Sequence, residues 1–367
     1  MKQVSFVLFV TVLAAVSSAT AASPDPTKTR QLIGVVQSNA ELAERARALQ
    51  QLALVASPEA VPMLAGLLAD EKLGQYARDV LEQMPDAAAG EALRAALGKL
   101  QGKALIGVVN SLGLRRDALA VGALGRLAVD PNSAAAAPVL LALGRIGTPE
   151  AMRVVEPALG RGPAELRAAA AEGCVLQADR LLAEGKGPAA RALYESVRRA
   201  EVPTAWRVTA TRGAILAAGA DGLPLLVEQL RSGDSDLRDM ALRTARDVRD
   251  PKTTAALVAE LDKLPPPQQA ALISVLVDRG DEGALGAVEA RARSGADPVR
   301  VAALKALGTI GRSSSLPILL EAIRPQSGTA VAEAALASLS RMAAPDANLQ
   351  ILKTLASVEP ATVVRLI

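Results

Sequence analysis

The side chains that most often perform catalysis or hold metals are scarce in this chain of 367 residues. It contains no His and a single Cys, Cys174. Without His there is no Ser-His-Asp or Cys-His nucleophile system and no imidazole ligand for a metal. Phosphate-binding, dinucleotide-binding and zinc-protease motifs do not occur either. We therefore predict that the protein is not an enzyme, with no catalytic, cofactor-binding or metal-binding residues and no cofactor.

Acidic pairs and the lone Cys are the remaining candidates for chemistry. The pair Asp234 and Asp236 falls in a turn between predicted helices, where capping of a helix N-terminus explains it. Cys174 could be a reactive thiol, since no second Cys can pair with it. It stands in a helical run beside Ala171 and Val175, however, which favours a small buried hydrophobic side chain.

A helical pattern that returns about every 31 residues organises the sequence. Leu141–Leu159 and Leu304–Ile323 each read as a helix end, a Gly-centred turn and an apolar helix. Turn residues recur at intervals of 28 to 32 residues outside one gap: Pro58, Asp86, Asp117, Pro149, Asp221, Pro251, Glu282, Ser314 and Asp346. Such units bury their apolar faces only by stacking on their neighbours. We predict an all-α solenoid, a right-handed superhelix of about ten helical pairs.

The composition supports helices and argues against a sheet. Half of the residues are hydrophobic, yet the chain has only two Phe, two Tyr and one Trp. Ala and Leu, which must fill the core, are the strongest helix formers. No window alternates apolar and polar residues over strand lengths.

Capping signals mark the predicted helix boundaries. Thr148 and Asp250 each precede a Pro that suits the first helical turn, so both are predicted N-caps. Four glycines are predicted to end helices in the left-handed conformation: Gly144, Gly147, Gly308 and Gly311.

At these residues the chain resembles the HEAT-repeat superfamily, in particular the short bacterial variety also called PBS-lyase-like HEAT repeats. Val299–Leu320 matches the repeat pattern well, and Ala210–Leu230 and Ala241–Leu261 match it more loosely. The residues in phase are Arg300, Ala303, Ala306, Leu307, Gly308, Ile310 and Gly311. The resemblance covers about residues 40–357. It implies a HEAT-like solenoid that binds other proteins, and it says little about activity.

The 72 residues between Pro149 and Asp221 break the period. Ala178–Val197, with its Gly-Lys-Gly turn, has the character of a tetratricopeptide-type (TPR-like) helix pair. The predicted segments are N-terminal HEAT-like repeats at 30–162, an irregular TPR-like insert at 163–213 and C-terminal HEAT-like repeats at 214–367.

The irregular insert holds the only Trp, the only Cys and one of the two Tyr. Within it, Thr204 is predicted to cap a helix that runs to Ala218. Aromatic side chains rimmed by Arg are favoured at interfaces, so a docking site is one interpretation. The other is that the aromatic rings fill the wider gap between mismatched layers. The candidate partner-binding residues are Tyr194, Arg198, Arg199, Trp206 and Arg207.

The N-terminus has the pattern of an export signal. Val4–Val16 is an apolar run, and Ala19-Thr20-Ala21 fits the small-residue cleavage pattern. A membrane anchor is the alternative, but a spanning helix needs roughly 20 apolar residues. We predict a signal peptide at 1–21, cleaved near Ala21, and a short lead-in at 22–29. The protein would then be periplasmic or secreted.

Charge is mixed along the chain, with 41 basic and 38 acidic residues. A nucleic-acid groove needs a basic stripe, usually with stacking aromatics, so we predict no nucleic-acid partner. We expect no membrane association after signal cleavage. The expected function is a non-catalytic exported scaffold that binds a protein partner along its concave face. The alternative is an accessory subunit of an exported enzyme complex with a carbohydrate-active or cytochrome-like partner.

The C-terminal residues Glu359–Ile367 begin an apolar helix without a polar cap. Terminal repeats need a polar outer face for solubility. We therefore expect either that a partner covers this end or that the chain was once longer, and we predict that the protein is a monomer or is end-capped by a partner.

Overall fold

The computed structural model describes residues 24–130, 134–248, 250–324 and 327–342. Within these ranges the chain forms helices and turns and no β-strand, so the all-α prediction is confirmed. Three predictions lie outside the described residues: the signal peptide at 1–21, the turn at Asp346 and the apolar segment Glu359–Ile367.

The chain divides into two compact units, and the division falls within one helix. Unit 1 is Met1–Leu176 and unit 2 is Gln177–Ile367. The predicted limits of the irregular insert stay predictions. The helices up to the division are α1 Pro26–Gln37, α2 Leu42–Val55, α3 Val61–Leu67, α4 Gly74–Gln83, α5 Ala87–Ala96, α6 Gly102–Leu114, α7 Val121–Val129, α8 Ala136–Ile146, α9 Pro149–Ala158 and α10 Ala164–Ala183, which crosses it.

Unit 2 continues with ten further helices in its described part. These are α11 Gly187–Arg199, α12 Thr204–Ala218, α13 Leu223–Leu230, α14 Ser235–Asp247, α15 Pro251–Glu260, α16 Pro266–Arg279, α17 Leu285–Ser294, α18 Asp297–Ile310, α19 Leu316–Ala322 and α20 Thr329–Leu339. The described residues therefore contain ten consecutive helical pairs, as the repeat period predicted.

The helices of each unit stack in two rows. In unit 2, α12, α14, α16, α18 and α20 pack successively on one another, and we call them the even row. The odd row is α13, α15, α17 and α19, which likewise follow one another through contacts between the helices and their short 3₁₀ turns. In unit 1 the same arrangement links α2, α4, α6 and α8. This stacking of neighbouring pairs is the α-solenoid architecture.

Local signals in the sequence set most helix starts. The Thr148 hydroxyl accepts a hydrogen bond from the Ala151 amide at 3.2 Å, and an Asp250 carboxylate oxygen accepts one from the Lys252 amide at 2.9 Å. Both predicted N-caps are confirmed. The prediction for Thr204 is wrong, because α12 begins one residue earlier than expected. Its preceding Pro takes the extended conformation of the N-cap and leaves Thr204 as the first helical residue.

Two of the four glycines lie at helix ends, with different conformations. Gly147 ends α8 with φ of 65°, in the left-handed region that glycine adopts at low cost, as predicted. Gly311 follows α18 with φ of −65° and ψ of 155°, so the left-handed prediction is wrong there. The chain leaves α18 in an extended conformation instead.

The other two glycines lie inside helices, where they allow close helix packing. A Cβ atom on Gly144 would come 2.3 Å from the Cα atom of Gly173 on α10. A Cβ atom on Gly308 would come 3.0 Å from the Cα atom of Ser338 on α20. The prediction that these two glycines end helices is therefore wrong. They are small because a neighbouring backbone passes against them.

Arginine side chains connect successive repeats in both units, through half-buried Arg115 in unit 1 and buried Arg279 in unit 2. Arg115, after α6, donates from Nη1 to the Leu81 carbonyl of α4 at 2.6 Å. Arg279, the last residue of α16, donates from Nη1 to the Ala245 carbonyl of α14 at 2.6 Å. The last carbonyls of a helix have no partner within it. Each guanidinium therefore satisfies the end of the equivalent helix one repeat earlier.

The apolar phase of the best-matching repeat faces the core. Ala303, Ala306 and Leu307 of α18 are buried, and Leu307 is completely so. They belong to one hydrophobic cluster that extends through unit 2 from α12 to the end of α20. This confirms the predicted position of Leu307 between neighbouring pairs.

Candidate partner-binding surface

Tyr194, the first of the predicted partner-binding residues, is buried. It lies on α11 with 1% of its surface exposed, and its ring packs against Gly213 of α12. Its hydroxyl donates a hydrogen bond to the Asp179 carboxylate of α10. Burial, followed by this hydrogen bond, raises the pKa of the Tyr194 hydroxyl above its ordinary range. The packing interpretation therefore holds for this ring.

The other four predicted residues flank the turn between α11 and α12. Arg198 and Arg199 both form ion pairs with one Glu195 carboxylate oxygen, at 2.9 and 3.3 Å. Trp206 lies in the first turn of α12 and is half-buried. Arg207 is half-buried beside it, and its Nε is buried without a hydrogen-bond partner among the described residues. The structure thus brings these four residues together around one turn, and their binding role stays a prediction.

The single thiol lies in the interior. Cys174 has no exposed surface on α10. Burial, with a smaller contribution from the Glu156 carboxylate, raises the pKa of the thiol to about 12. The thiolate is the nucleophilic form, so this side chain is unreactive at neutral pH. Among the described residues no group of three or more Cys, Asp or Glu side chains is arranged to hold a metal ion.

The even row of unit 2 carries a series of grooves. The first, of about 400 Å³, lies between α10, α11, α12 and α14. Val208 and Met240 contribute apolar surface to it, and Arg212 and Arg243 stand at its exposed side. Buried Tyr194 and Asp179 also line this groove, and the Tyr194 hydroxyl donates its hydrogen bond to the Asp179 carboxylate.

Two further grooves continue along the same row. The second, of about 190 Å³, separates α14 from α16 and is lined by Leu242, Ala271 and Asp239, among others. The third, of about 440 Å³, separates α16 from α18, and its lining includes Val301 and Lys305. Three successive gaps between even-row helices are therefore open, partly apolar and edged with charge.

A column of equivalent positions runs beside these grooves. Arg212, Arg243, Ser274 and Lys305 lie 31 residues apart on α12, α14, α16 and α18, and all four are exposed. The first two line the first groove and the last two line the third. The sequence reasoning missed this column because it applied the period to apolar residues and turns. Applying the same period to charged residues would have found it.

The cations of this column differ in their pairing. Arg212 forms an ion pair with Asp247 of α14 at 3.2 Å. Arg246, next to the column, pairs with Asp278 of α16 at 2.6 Å. Arg243 and Lys305 form no ion pair or side-chain hydrogen bond with any residue that the structure describes. Both charges are therefore available to a ligand.

One helical stretch among the described residues, Thr204–Leu230, is long and apolar enough to cross a membrane by length and composition. It comprises α12 and α13, which are separated by a turn that begins at Gly219 with φ of 56°. Both helices contribute residues to the hydrophobic cluster of unit 2. Apolar residues of this stretch thus form part of the core between the stacked helices.

Comparison with known proteins agrees with this architecture. Residues 286–367 match the family of HEAT repeats. No curated protein matches the chain in sequence. The karyopherin Kap121p bound to the SUMO protease Ulp1p is similar with a TM-score of 0.54 and 13% identity, over 91% of this chain and 47% of that one. A structure of Kap95p with RanGDP has a TM-score of 0.52 and 14% identity, over 86% of this chain and 50% of that one. The Kap95:Nup1 complex has a TM-score of 0.52 and 13% identity, over 93% of this chain and 55% of that one.

The protein is thus an α-solenoid. Its fold is similar to the solenoids of Kap121p and Kap95p, and residues 286–367 match HEAT repeats, in agreement with the resemblance at Val299–Leu320. The chain spans about half the length of the karyopherin structures that it matches.

Proposed function

We propose that this protein is a non-catalytic scaffold that is exported and binds a protein partner along the even row of unit 2. The observation that carries the proposal is the succession of three grooves between α10 and α18. Their linings combine apolar surface with a few charged groups, which is the composition of a recognition surface. The similar Kap121p and Kap95p structures contain protein partners, which supports a partner of the same class.

The absence of a chemical centre from the described surface supports a binding function over catalysis. The one thiol is buried with its pKa raised, and the Tyr194–Asp179 pair is used for packing. Among the described residues, the exposed charged groups that line the grooves are Arg212, Arg243 and Lys305 together with the carboxylates of Asp179 and Asp239, and no Ser, Cys or Lys there forms a hydrogen bond with either carboxylate. General acid–base or nucleophilic catalysis needs such a partner within hydrogen-bond reach.

Site-specific photocrosslinking in the producing cells tests the proposed surface. A photoreactive residue at Ser274, on the even row, should yield a discrete crosslinked adduct with one or a few proteins. The same residue at Ala290, which is exposed on the odd-row helix α17, serves as the matched control and should yield none. Equal labelling from both positions, or labelling from Ala290 alone, would overturn the proposed surface.

Export is tested separately by N-terminal sequencing. The proposal rests on the apolar run Val4–Val16 and the Ala19-Thr20-Ala21 pattern. Protein recovered from outside the cytoplasm should begin near Ala22. Recovery of chains that still begin with Met1 would contradict cleavage without bearing on the binding surface.

A further inference from the structure

We infer that the even row of unit 2 recognises an acidic, partly apolar segment of the partner, held in an extended conformation across α12 to α18. The inference rests on the proposed scaffold function and names the chemistry of the segment. Its basis is the column of Arg212, Arg243, Ser274 and Lys305 beside the grooves.

Charge complementarity is the first argument. Arg243 and Lys305 are exposed, line the first and third grooves, and have no ionic partner among the described residues. The nearby acids Asp247 and Asp278 are already engaged by Arg212 and Arg246. The column therefore presents positive charge that is not neutralised by an ion pair with any described residue of unit 2. Carboxylates of a ligand are suited to that charge.

Asp239 is an acidic group whose negative charge opposes the positive charge of the column. It lies one helical turn before Arg243 on α14 and lines the second groove. It has no ion pair with the described residues, so it disfavours a carboxylate at that groove. The ligand should therefore place its acids at the first and third grooves and an apolar side chain between them. Leu242 and Ala271 supply the apolar surface there.

The spacing of the helices sets the spacing of the acids. Packed helices lie about 8–10 Å apart, so Arg243 on α14 and Lys305 on α18 stand roughly 16–20 Å apart. An extended chain advances about 3.3 Å per residue. Two ligand carboxylates that reach both cations should therefore be about five or six residues apart.

The lining favours a peptide over a nucleic acid. Single-stranded nucleic acids bind on basic grooves that also offer aromatic rings for the bases to stack on. The aromatic side chain at these three grooves is Tyr194, whose ring is buried against Gly213. The exposed lining is aliphatic instead, with Val277, Val301 and Ala302 in the third groove.

Peptide selection on the immobilised full chain provides the test. The probe is a phage-displayed library of random 12-residue peptides. Wild-type protein should enrich peptides with apolar residues and two acids five or six positions apart. The Kd of the best peptide, measured by fluorescence anisotropy, should be about tenfold or more higher for the Arg243→Glu/Lys305→Glu variant than for wild type. Raising the salt concentration should also weaken binding, because exposed charges are screened.

The matched control is Lys252→Glu/Arg324→Glu, which changes the net charge equally. Both side chains are exposed, on α15 and just after α19, and form no ion pair among the described residues. The control should bind the peptide within about twofold of wild type. Circular dichroism melting of both variants checks that each is folded.

The contrary outcomes are distinct. Peptides that bind equally to both double variants, or selected peptides that are basic or uncharged, overturn the acidic-segment inference and leave the scaffold function standing. Tighter binding of a single-stranded DNA oligomer than of any peptide, lost in Arg243→Glu/Lys305→Glu, overturns the choice of a protein segment. Failure to enrich any peptide on wild type counts against the inference and the proposed surface together.

Discussion

The two rows of unit 2 follow the same 31-residue period, yet they use their charges differently. On the odd row, Arg231 beyond α13 binds the Glu260 carboxylate of α15 at 2.6 and 2.7 Å, and Lys263 adds a third bond at 3.0 Å. Asp262 then pairs with Arg291 of α17. These charges link one repeat to the next.

The linkage continues to the end of the odd row. Glu289 of α17 accepts a hydrogen bond from Ser315, beside α19, at 2.6 Å, and Glu282 pairs with Arg312. On the even row such cross-repeat ion pairs join α12 to α14 and α14 to α16, and no further one is found among the described residues. A charge engaged by its neighbour stabilises the stack and is less available to a partner. In the part of the chain that the structure describes, cross-repeat ion pairs thus run along the odd row to α19, whereas on the even row they stop at α16, which is consistent with the recognition surface that we propose there.

The core between the rows should carry the largest effect. Leu307→Asp removes a fully buried side chain and places an unpaired carboxylate in the cluster, which should cost about 4–5 kcal/mol or more of unfolding free energy. Because contacts are between neighbours, hydrogen exchange should rise first in α18 and α20. Thr309→Asp, exposed on the same helix, is the control for the added charge. Uniform loss of protection through the chain would mean that all repeats unfold together as one global core.

On the odd row, Glu260→Gln should lower the unfolding free energy by about 2 kcal/mol and leave partner binding unchanged. The Glu260 carboxylate is 5% exposed, and its bonds from Arg231 and Lys263 are charge-assisted. Asp262→Asn, which alters an acid that is 76% exposed, should cost well below about 1 kcal/mol. Urea titration measures the unfolding free energies of both variants. Lost binding in Glu260→Gln would show that the odd row also takes part in recognition.

The same carboxyl predicts a pH dependence. The hydrogen bond from Arg231, opposed by burial and helped by Lys263, lowers the pKa of Glu260 below its ordinary value. A lowered folded-state pKa contributes stability that is complete above the unfolded pKa of about 4.3 and is lost as the pH falls through the folded value. The stability difference between wild type and Glu260→Gln should therefore shrink below about pH 4. A constant difference down to pH 2 would contradict this.

Trp206 tests whether recognition also uses the turn between α11 and α12. Because its ring is half-buried, Trp206→Ala should lower the unfolding free energy by about 1–2 kcal/mol through lost apolar contact. Peptide or partner binding should stay within about twofold of wild type. An unchanged melting temperature together with lost binding would move the recognition surface to this turn and its arginines.

The smallest expected effect is a gain of binding. Ser274 occupies the one uncharged position of the column, so Ser274→Lys should tighten binding of an acidic peptide by roughly twofold to fivefold, as expected for one exposed charge. The unfolding free energy of the Ser274→Lys variant should differ from that of wild type by less than about 0.5 kcal/mol, because the site is exposed. Ala290→Lys on the odd row adds the same charge and should leave the Kd unchanged. Equal gains in both variants would reflect net charge alone.

Much of the fold could be predicted from local sequence signals. The 31-residue period, the Ala- and Leu-rich composition and the caps at Thr148 and Asp250 depend on interactions within a helix or its first turn. Such interactions involve residues three or four positions apart, which the sequence displays directly. The position of Leu307 in the core followed from the same periodicity.

The tertiary structure decided what depends on the neighbouring repeat. Gly144 and Gly308 are small because another helix passes against them, and Tyr194 is buried because Gly213 leaves room for its ring. The 31-residue spacing of Arg212, Arg243, Ser274 and Lys305 is visible in the sequence itself. Only the stacking register determined that Arg212 pairs with Asp247 while Arg243 and Lys305 form no ion pair with the residues that the structure describes. Pairing of this kind joins side chains about thirty residues apart, so the packing of one helix on the next decides which charges are left for a partner.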